Sequence, residues 1–315
     1  MYNVVDTFYA GLISTQAISA LTLSFMIFFL IIGFGYGFSS AITALLGNAL
    51  GKKRYKLASI YAHKGLIFVP LIGLTLSIIG YFFAPSLFMF LGAKDEYLQI
   101  SLDYINPILF GAIFFMFNFS LNSILIATGD TKTYRNSLIF GFFANLALNP
   151  LFMYGFLFVP AMGIKGIAFA TVLIQIINMF YLFYKVLQTK LIHFDKLEYF
   201  IPNLRIYKLF FTHGIPSSLN MLTMAIGSLI LTYFVSHYGI QAVAGYGIGY
   251  RVEQLMLLPA LGLSTAVLAL VSNNFGAKKY DRVIETLKVS LKYGFIIATV
   301  GIIFLTILGR LIISL

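Results

Sequence analysis

The chain has 315 residues, of which 60% are hydrophobic, 17% aromatic and only 10% charged, with a mean hydropathy of +0.94. Soluble domains carry about 25% charged and 45–50% apolar residues, so this composition excludes an ordinary water-soluble enzyme and points to many membrane spans. A formal charge of +11 would suggest nucleic acid in a soluble protein, but between spans the basic residues are first a topology signal, and the absence of cysteine excludes disulfides and thiolate metal sites.

The first apolar piece, residues 1–11, has no charged n-region and no small-residue cleavage site, so it reads as half a helix rather than a signal peptide. Runs long enough to cross a bilayer as helices follow at 17–47, 57–83, 101–128, 134–156, 163–187, 207–237, 242–275 and 286–308. They are far longer than the ~10-residue alternating strands of an outer-membrane barrel, and the class is all-α and polytopic. Counting the half-helix as span 1, one set of connections holds Lys52, Lys53, Arg54 and Lys56, then Lys132 and Arg135. The same side holds Lys185, Lys190, Lys196, Arg205 and Lys208, and finally Lys278, Lys279, Arg282, Lys288 and Lys292. The opposite connections hold Lys94 and Lys165, so the positive-inside rule makes the basic side cytoplasmic. This placement removes the case for nucleic-acid binding.

A shift of 225 residues aligns 8–58 with 233–283 without a gap. Shared Leu and Ala mean little in a membrane protein, but Gln16/Gln241, Gly37/Gly262, Ser39/Ser264, Asn48/Asn273, Gly51/Gly276, Lys53/Lys278 and Tyr55/Tyr280 are harder to obtain by chance. Spans 1–3 therefore recur as spans 7–9. Six spans separate the copies, so both enter the membrane in the same direction, a plan common among secondary transporters with a substrate site between the bundles. Extending the repeat places the missing part of span 1 before Met1 and spans 10–12 beyond Leu315. The expected organisation is a six-helix lobe over 1–190 with its first helix truncated, a cytoplasmic linker over 191–205, and the first three helices of a second lobe over 206–315.

Several polar residues stand out inside the spans. Asp6 has Val4, Val5 and Phe8 around it; a carboxylate within a span costs at least ~2.5 kcal/mol at mid-membrane and is by default functional, although a place near the outer interface would leave it merely solvated. Asn145 and Asn149 lie one turn apart on one helix face, and Pro150 removes the next backbone donor and so frees a carbonyl near them. Such oxygens suit a hard cation, or else the pair glues helices by hydrogen bonds. Thr171, Gln175 and Asn178 share a face of span 6, and Asn118 and Asn122 lie on span 4, a polar stripe that predicts an internal cavity. Arg251 and Glu253, two residues apart on span 8, do not face each other; they read as a substrate-facing gate or as partners in structural ion pairs. The GFGYG run at 33–37 and the GYGIG run at 245–249 lie within apolar helices, and they read as small-residue packing faces rather than nucleotide loops. Pro107, Pro216 and Pro259 predict kinks. The four histidines show no zinc spacing, and no paired carboxylates or Ser/His pair suggests an enzyme.

The segments YNVVDT at 2–7, LIATGDTK at 125–132, NLALNP at 145–150, GIKGIAFAT at 163–171 and AGYGIGYRVEQLMLLPALGLSTA at 244–266 together resemble the multidrug and toxic compound extrusion (MATE) family of the polysaccharide-exporter superfamily. The resemblance implies two six-helix lobes alternating between outward-facing and inward-facing states. Here helix 1 would be partial and helices 10–12 absent. It also implies a multi-pass protein of the cytoplasmic membrane, a monomer, that exports small amphipathic or cationic compounds in exchange for Na⁺ or H⁺ and needs no cofactor. The family's N-lobe cation site matches Asp6, Asn145, Asn149 and Thr171. Asn149 departs from the Asp often found there, which weakens the case for Na⁺ and leaves proton coupling through Asp6 open. Asn118, Asn122, Gln175, Asn178, Arg251 and Glu253 are the expected lining of the substrate cavity. A flippase for lipid-linked saccharide from the same superfamily is the alternative, although its pyrophosphate would require several intramembrane basic residues and only Arg251 is evident.

Overall fold

The computed structural model describes residues 2–156 and 159–314. Its order is α1 (Tyr2–Ile13), α2 (Thr15–Gly51), α3 (Tyr55–Phe90), α4 (Asp95–Phe110), α5 (Ala112–Ala127), α6 (Lys132–Tyr154), α7 (Ile164–Gln188), a 3₁₀ turn at Leu197–Tyr199, α8 (Leu204–Ser236), α9 (Ile240–Gly276) and α10 (Tyr280–Ser314). Six of these helices are individually long and apolar enough to cross a membrane, and a seventh span forms if the bent pair α4/α5 counts as one. This is the all-α, multi-pass architecture expected from composition. The only β pairing among the described residues is an isolated bridge between Phe156 and Val159.

The span expected as one helix over 101–128 is two, bent by 45° at Gly111. Pro107 lacks the N–H that would continue the helical ladder, and the Gly111 N–H bonds back to the Pro107 carbonyl at 2.9 Å. Gly111 also lets α7 come close, since a Cβ there would meet the Val172 side chain. Pro216 and Pro259, by contrast, lie inside the unbroken helices α8 and α9.

The centre of the molecule is α2. Of its most apolar window 78% is buried, against none of the corresponding window of α10. It carries no charged residue and packs chiefly on α8 and α9. Contacts with α9 run along its length: Ser19 donates to the Ile240 carbonyl (2.9 Å), Phe25 meets Tyr250 edge-on (5.8 Å between centroids), and Tyr36 reaches Ser264 (3.5 Å). The GFGYG run is a packing face as expected: Gly33 faces Leu222, Gly35 the ring of Phe119, and Gly37 the α8 backbone at Ser218. In the GYGIG run Gly247 is buried, but the two outer glycines do not pack likewise. Gly245 and Gly249 have nothing within 4 Å of an added Cβ, because α9 turns this face away from every described neighbour.

The repeat is visible in backbone detail. Lys53 and Lys278, equivalent under the 225-residue shift, both adopt φ +58°, a left-handed conformation that glycine usually supplies at helix ends. The following residues close the same motif, Arg54 N–H on the Ala49 carbonyl and Lys279 N–H on the Asn274 carbonyl, each at 2.9 Å. At these two ends the helices touch reciprocally: Gly51 lies against the Asn273 carbonyl, and Gly276 against the Asn48 carbonyl.

Candidate functional site

Asp6 is fully buried and so is not solvated in this structure. A one-residue turn at Ser14 joins α1 to α2; the Ser14 hydroxyl caps α2 by accepting from the Ala17 N–H at 3.0 Å. On its other side α1 is tied to α6. Pro150 deprives the Leu146 carbonyl of its helical donor, and the Tyr9 hydroxyl donates to that oxygen at 2.9 Å. The carbonyl freed by Pro150 is therefore engaged by Tyr9 and is not a vacant cation ligand. Its effect is to hold Asp6, three residues earlier in α1, against α6.

Four donors converge on the Asp6 carboxylate. Asn149 Nδ2 donates to Oδ1 at 2.9 Å and Asn145 Nδ2 to the same oxygen at 3.2 Å. The Thr171 hydroxyl donates to Oδ2 at 3.2 Å and the Tyr104 hydroxyl at 3.1 Å. Asn145 and Asn149 exchange amide hydrogen bonds at 3.3 and 3.4 Å, and Asn145 also reaches the Thr171 hydroxyl at 3.3 Å. Asn145 and Asn149 are fully buried, and Thr171 and Tyr104 nearly so. The structure thus brings Asp6, Asn145, Asn149 and Thr171 into one cluster drawn from α1, α6 and α7. Tyr104 of α4 is a fifth member that sequence reasoning did not single out, since nothing in its spacing separates it from the other tyrosines of this aromatic chain.

Chemically, this is a single negative charge enclosed by neutral donors. Burying a carboxylate costs several kcal/mol, and each hydrogen bond to a charged group returns ~1.5–3 kcal/mol. Four such bonds are of the same order as the cost, so the donors offset the burial of the carboxylate.

Deeper along α5 and α7 lies a second polar group. Asn118 Nδ2 donates to the Gln175 carbonyl at 2.9 Å and to its Oε1 at 2.8 Å. Asn118, Asn122, Gln175 and Asn178 are all buried, and the side-chain oxygens of Asn118 and Asn122 have no hydrogen-bond partner among the described residues. The polar stripe is thus closed in this structure, not an open cavity wall. Glu253 is exposed on α9, and the Arg251 side chain lies outside the described ones.

The MatE family model matches residues 1–151 and again 216–315. The chain belongs to the MatE family. This MatE chain is 31% identical over 307 residues to the probable multidrug resistance protein YoeA of Bacillus subtilis, a match that covers 96% of the chain and 66% of YoeA. It therefore spans about two thirds of the length of that relative. Its structure is similar to a multidrug resistance MATE family transporter of the MOP superfamily in the outward-facing conformation, with a TM-score of 0.86 at 25% identity, covering 99% of this chain and 68% of the other. Against an inward-facing conformation of such a transporter the TM-score is 0.79, also at 25% identity, with 99% and 70% covered. The fold of this MatE chain is thus that of MATE transporters.

Proposed function

We propose that the protein acts as a secondary antiporter in the cytoplasmic membrane, exporting small amphipathic or cationic compounds in exchange for H⁺ or Na⁺, with Asp6 as the coupling carboxylate. The observation that carries this reading is the fully buried Asp6 with Asn145, Asn149, Thr171 and Tyr104 donating to it. An intramembrane acid held by neutral donors suits a group that is charged in one state of a cycle and neutralised in the other. Each amide oxygen of Asn145 and Asn149 accepts from the other's Nδ2, which leaves a metal cation few free oxygen ligands at this site.

In this reading residues 1–190 form one lobe, 191–205 a cytoplasmic linker, and 206–315 the start of a second lobe that moves against the first as a monomer. The higher likeness to an outward-facing transporter and the touching ends of α2 and α9 on the basic side support an outward-facing state. Asn118, Asn122, Gln175 and Asn178, with Glu253 from α9, become substrate-facing when the lobes rearrange; Arg251 is assigned the same role from its sequence position alone.

The test is Asp6→Asn in reconstituted protein. Gradient-driven efflux of a fluorescent cation is expected to stop while expression and melting are preserved; undiminished efflux overturns the reading. Varying pH at fixed Na⁺, and Na⁺ at fixed pH, identifies the ion.

A further inference from the structure

A concave site of about 400 Å³ lies at the basic end of the bundle, between the first turn of α3 and the segment that leaves α7. Its floor is built from buried groups: Ser59 of α3 donates to the Leu191 carbonyl at 2.6 Å, and Leu191 and Tyr199 are buried beside it. Lys56, Lys190 and Lys196 all line the cavity, together with His193. None of the three lysines has a carboxylate within 4 Å among the described residues, where Lys165–Asp103 is the one ion pair. Lys190 is held there at a left-handed φ of +57°, which a lysine adopts only at a cost, and Lys196 lies 5.6 Å above the Tyr199 ring. Positive-inside topology accounts for lysines on this side. It does not account for three lysines lining one hollow with none of them ion-paired among the described residues.

We infer that Lys56, Lys190 and Lys196 form a binding site for the phosphodiester headgroup of an anionic phospholipid of the cytoplasmic leaflet. An anion in the cavity is attracted by all three lysines, and phosphate oxygens accept from several ammoniums at once. The lipid source is favoured by position. The cavity lies where α3 begins and α7 ends, at the edge of the spans, and the last turns of α7 with the residues just after them carry exposed Tyr184, Leu187 and Phe194, an apolar surface suited to acyl chains. A bound headgroup would bridge α3 to the segment between α7 and α8.

The experiment is retention of dioleoyl-phosphatidylglycerol by the purified protein in neutral detergent, read by native mass spectrometry and by the rise in melting temperature on lipid titration. Lys→Gln changes at 56, 190 and 196 are expected to weaken retention about tenfold per lysine, the scale of one lost charge-assisted hydrogen bond. Melting in phosphatidylcholine should not change, and Lys→Arg versions should retain the lipid even if a Gln version folds poorly. Lys278→Gln with Lys279→Gln, on the same side but outside the cavity, should have little effect. Equal loss in that control pair, undiminished retention by the triple Gln variant, or equal stabilisation by inorganic phosphate would each overturn the assignment.

Discussion

Gly51 and Asn273 meet backbone to backbone where α2 and α9 end, and the repeat returns the contact through Asn48 and Gly276. A Cβ on Gly51 would land on the Asn273 carbonyl oxygen and within 3.0 Å of the Ala277 nitrogen, so Gly51→Ala must part the two helix ends. The chain has no cysteine, so Asn48→Cys gives a unique thiol. We predict that a membrane-impermeant maleimide labels it several-fold faster in the Gly51→Ala background; equal rates would mean that the contact does not close this end.

Tyr104 donates to Asp6 without belonging to α1, α6 or α7. Tyr104→Phe removes one hydrogen bond to a carboxylate, a loss of ~1.5–3 kcal/mol, and is expected to shift the half-saturating concentration of the coupling ion about tenfold or more. The measurement is ion-dependent efflux at several pH values, with melting as the control. An unchanged ion dependence would remove Tyr104 from the coupling site.

Tyr9 and Pro150 form a pair that a double-mutant cycle can test. In the Pro150 background Tyr9→Phe orphans the Leu146 carbonyl and is expected to destabilise by ~1–3 kcal/mol. With Pro150→Ala the helix supplies its own N–H to that carbonyl, and the same Tyr9 change should cost much less. Additive losses in thermal melting would contradict this coupling.

Asp130, in the connection before α6, gives a pH signature outside the spans. Partial burial works against its charge, but the Thr133 hydroxyl and the backbone N–H groups of Thr133 and Lys132 donate to it, Lys185 adds attraction, and the net result holds its carboxyl below the usual value. A depressed folded-state pKa means that the stabilisation is full above about pH 4 and is lost as pH falls through the folded value. Asp130→Asn keeps the capping geometry and removes the charge, so it should lower stability near pH 7 by ~0.3–1 kcal/mol, and the difference from the parent should vanish in acid. A pH-independent difference in denaturant midpoint would refute it.

Lys64 is buried, and its ammonium donates to the carbonyls of Glu198 and Ile201. Together with Ser59 on Leu191, and with the His193 N–H donating to His63 Nε2 at 3.0 Å, it pins the segment between α7 and α8 onto α3. Lys64→Met is expected to speed tryptic cleavage at Lys190 and Lys196 severalfold, while cleavage at Lys278 stays constant. No change would show that the other two contacts suffice.

The spans were legible because a bilayer imposes length and apolarity on every crossing, and the repeat was legible because Asn48, Gly51 and Lys53 recur with their backbone geometry. Asp6, Asn145, Asn149 and Thr171 could be named because polar groups are rare in such helices and because their segments resemble a known family. Tyr104 could not, since an aromatic residue in an aromatic chain carries no signal until its hydroxyl is seen to be buried. The break at Gly111 was signalled by Pro107, four residues earlier, but apolarity continues through it, so the sequence showed a kink and not two helices. Gly245 and Gly249 misled because small-residue spacing says that a close approach is possible, not that a partner comes. Lys64 escaped notice because its acceptors are backbone carbonyls, which no side-chain pattern encodes.

The central position of α2 has a consequence for biosynthesis. Its main partners α8 and α9 leave the ribosome about 200 residues later, and at about 5–20 residues per second α2 waits about 10–40 s for the neighbours that finally enclose it. The helix carries no charge and so can wait in lipid without ionic penalty, but the Ser19 hydroxyl stays without the Ile240 carbonyl throughout that interval. Slow codons between α7 and α9, or depletion of an insertase that shelters polar groups, should therefore harm this protein through its second helix, long after that helix has been made.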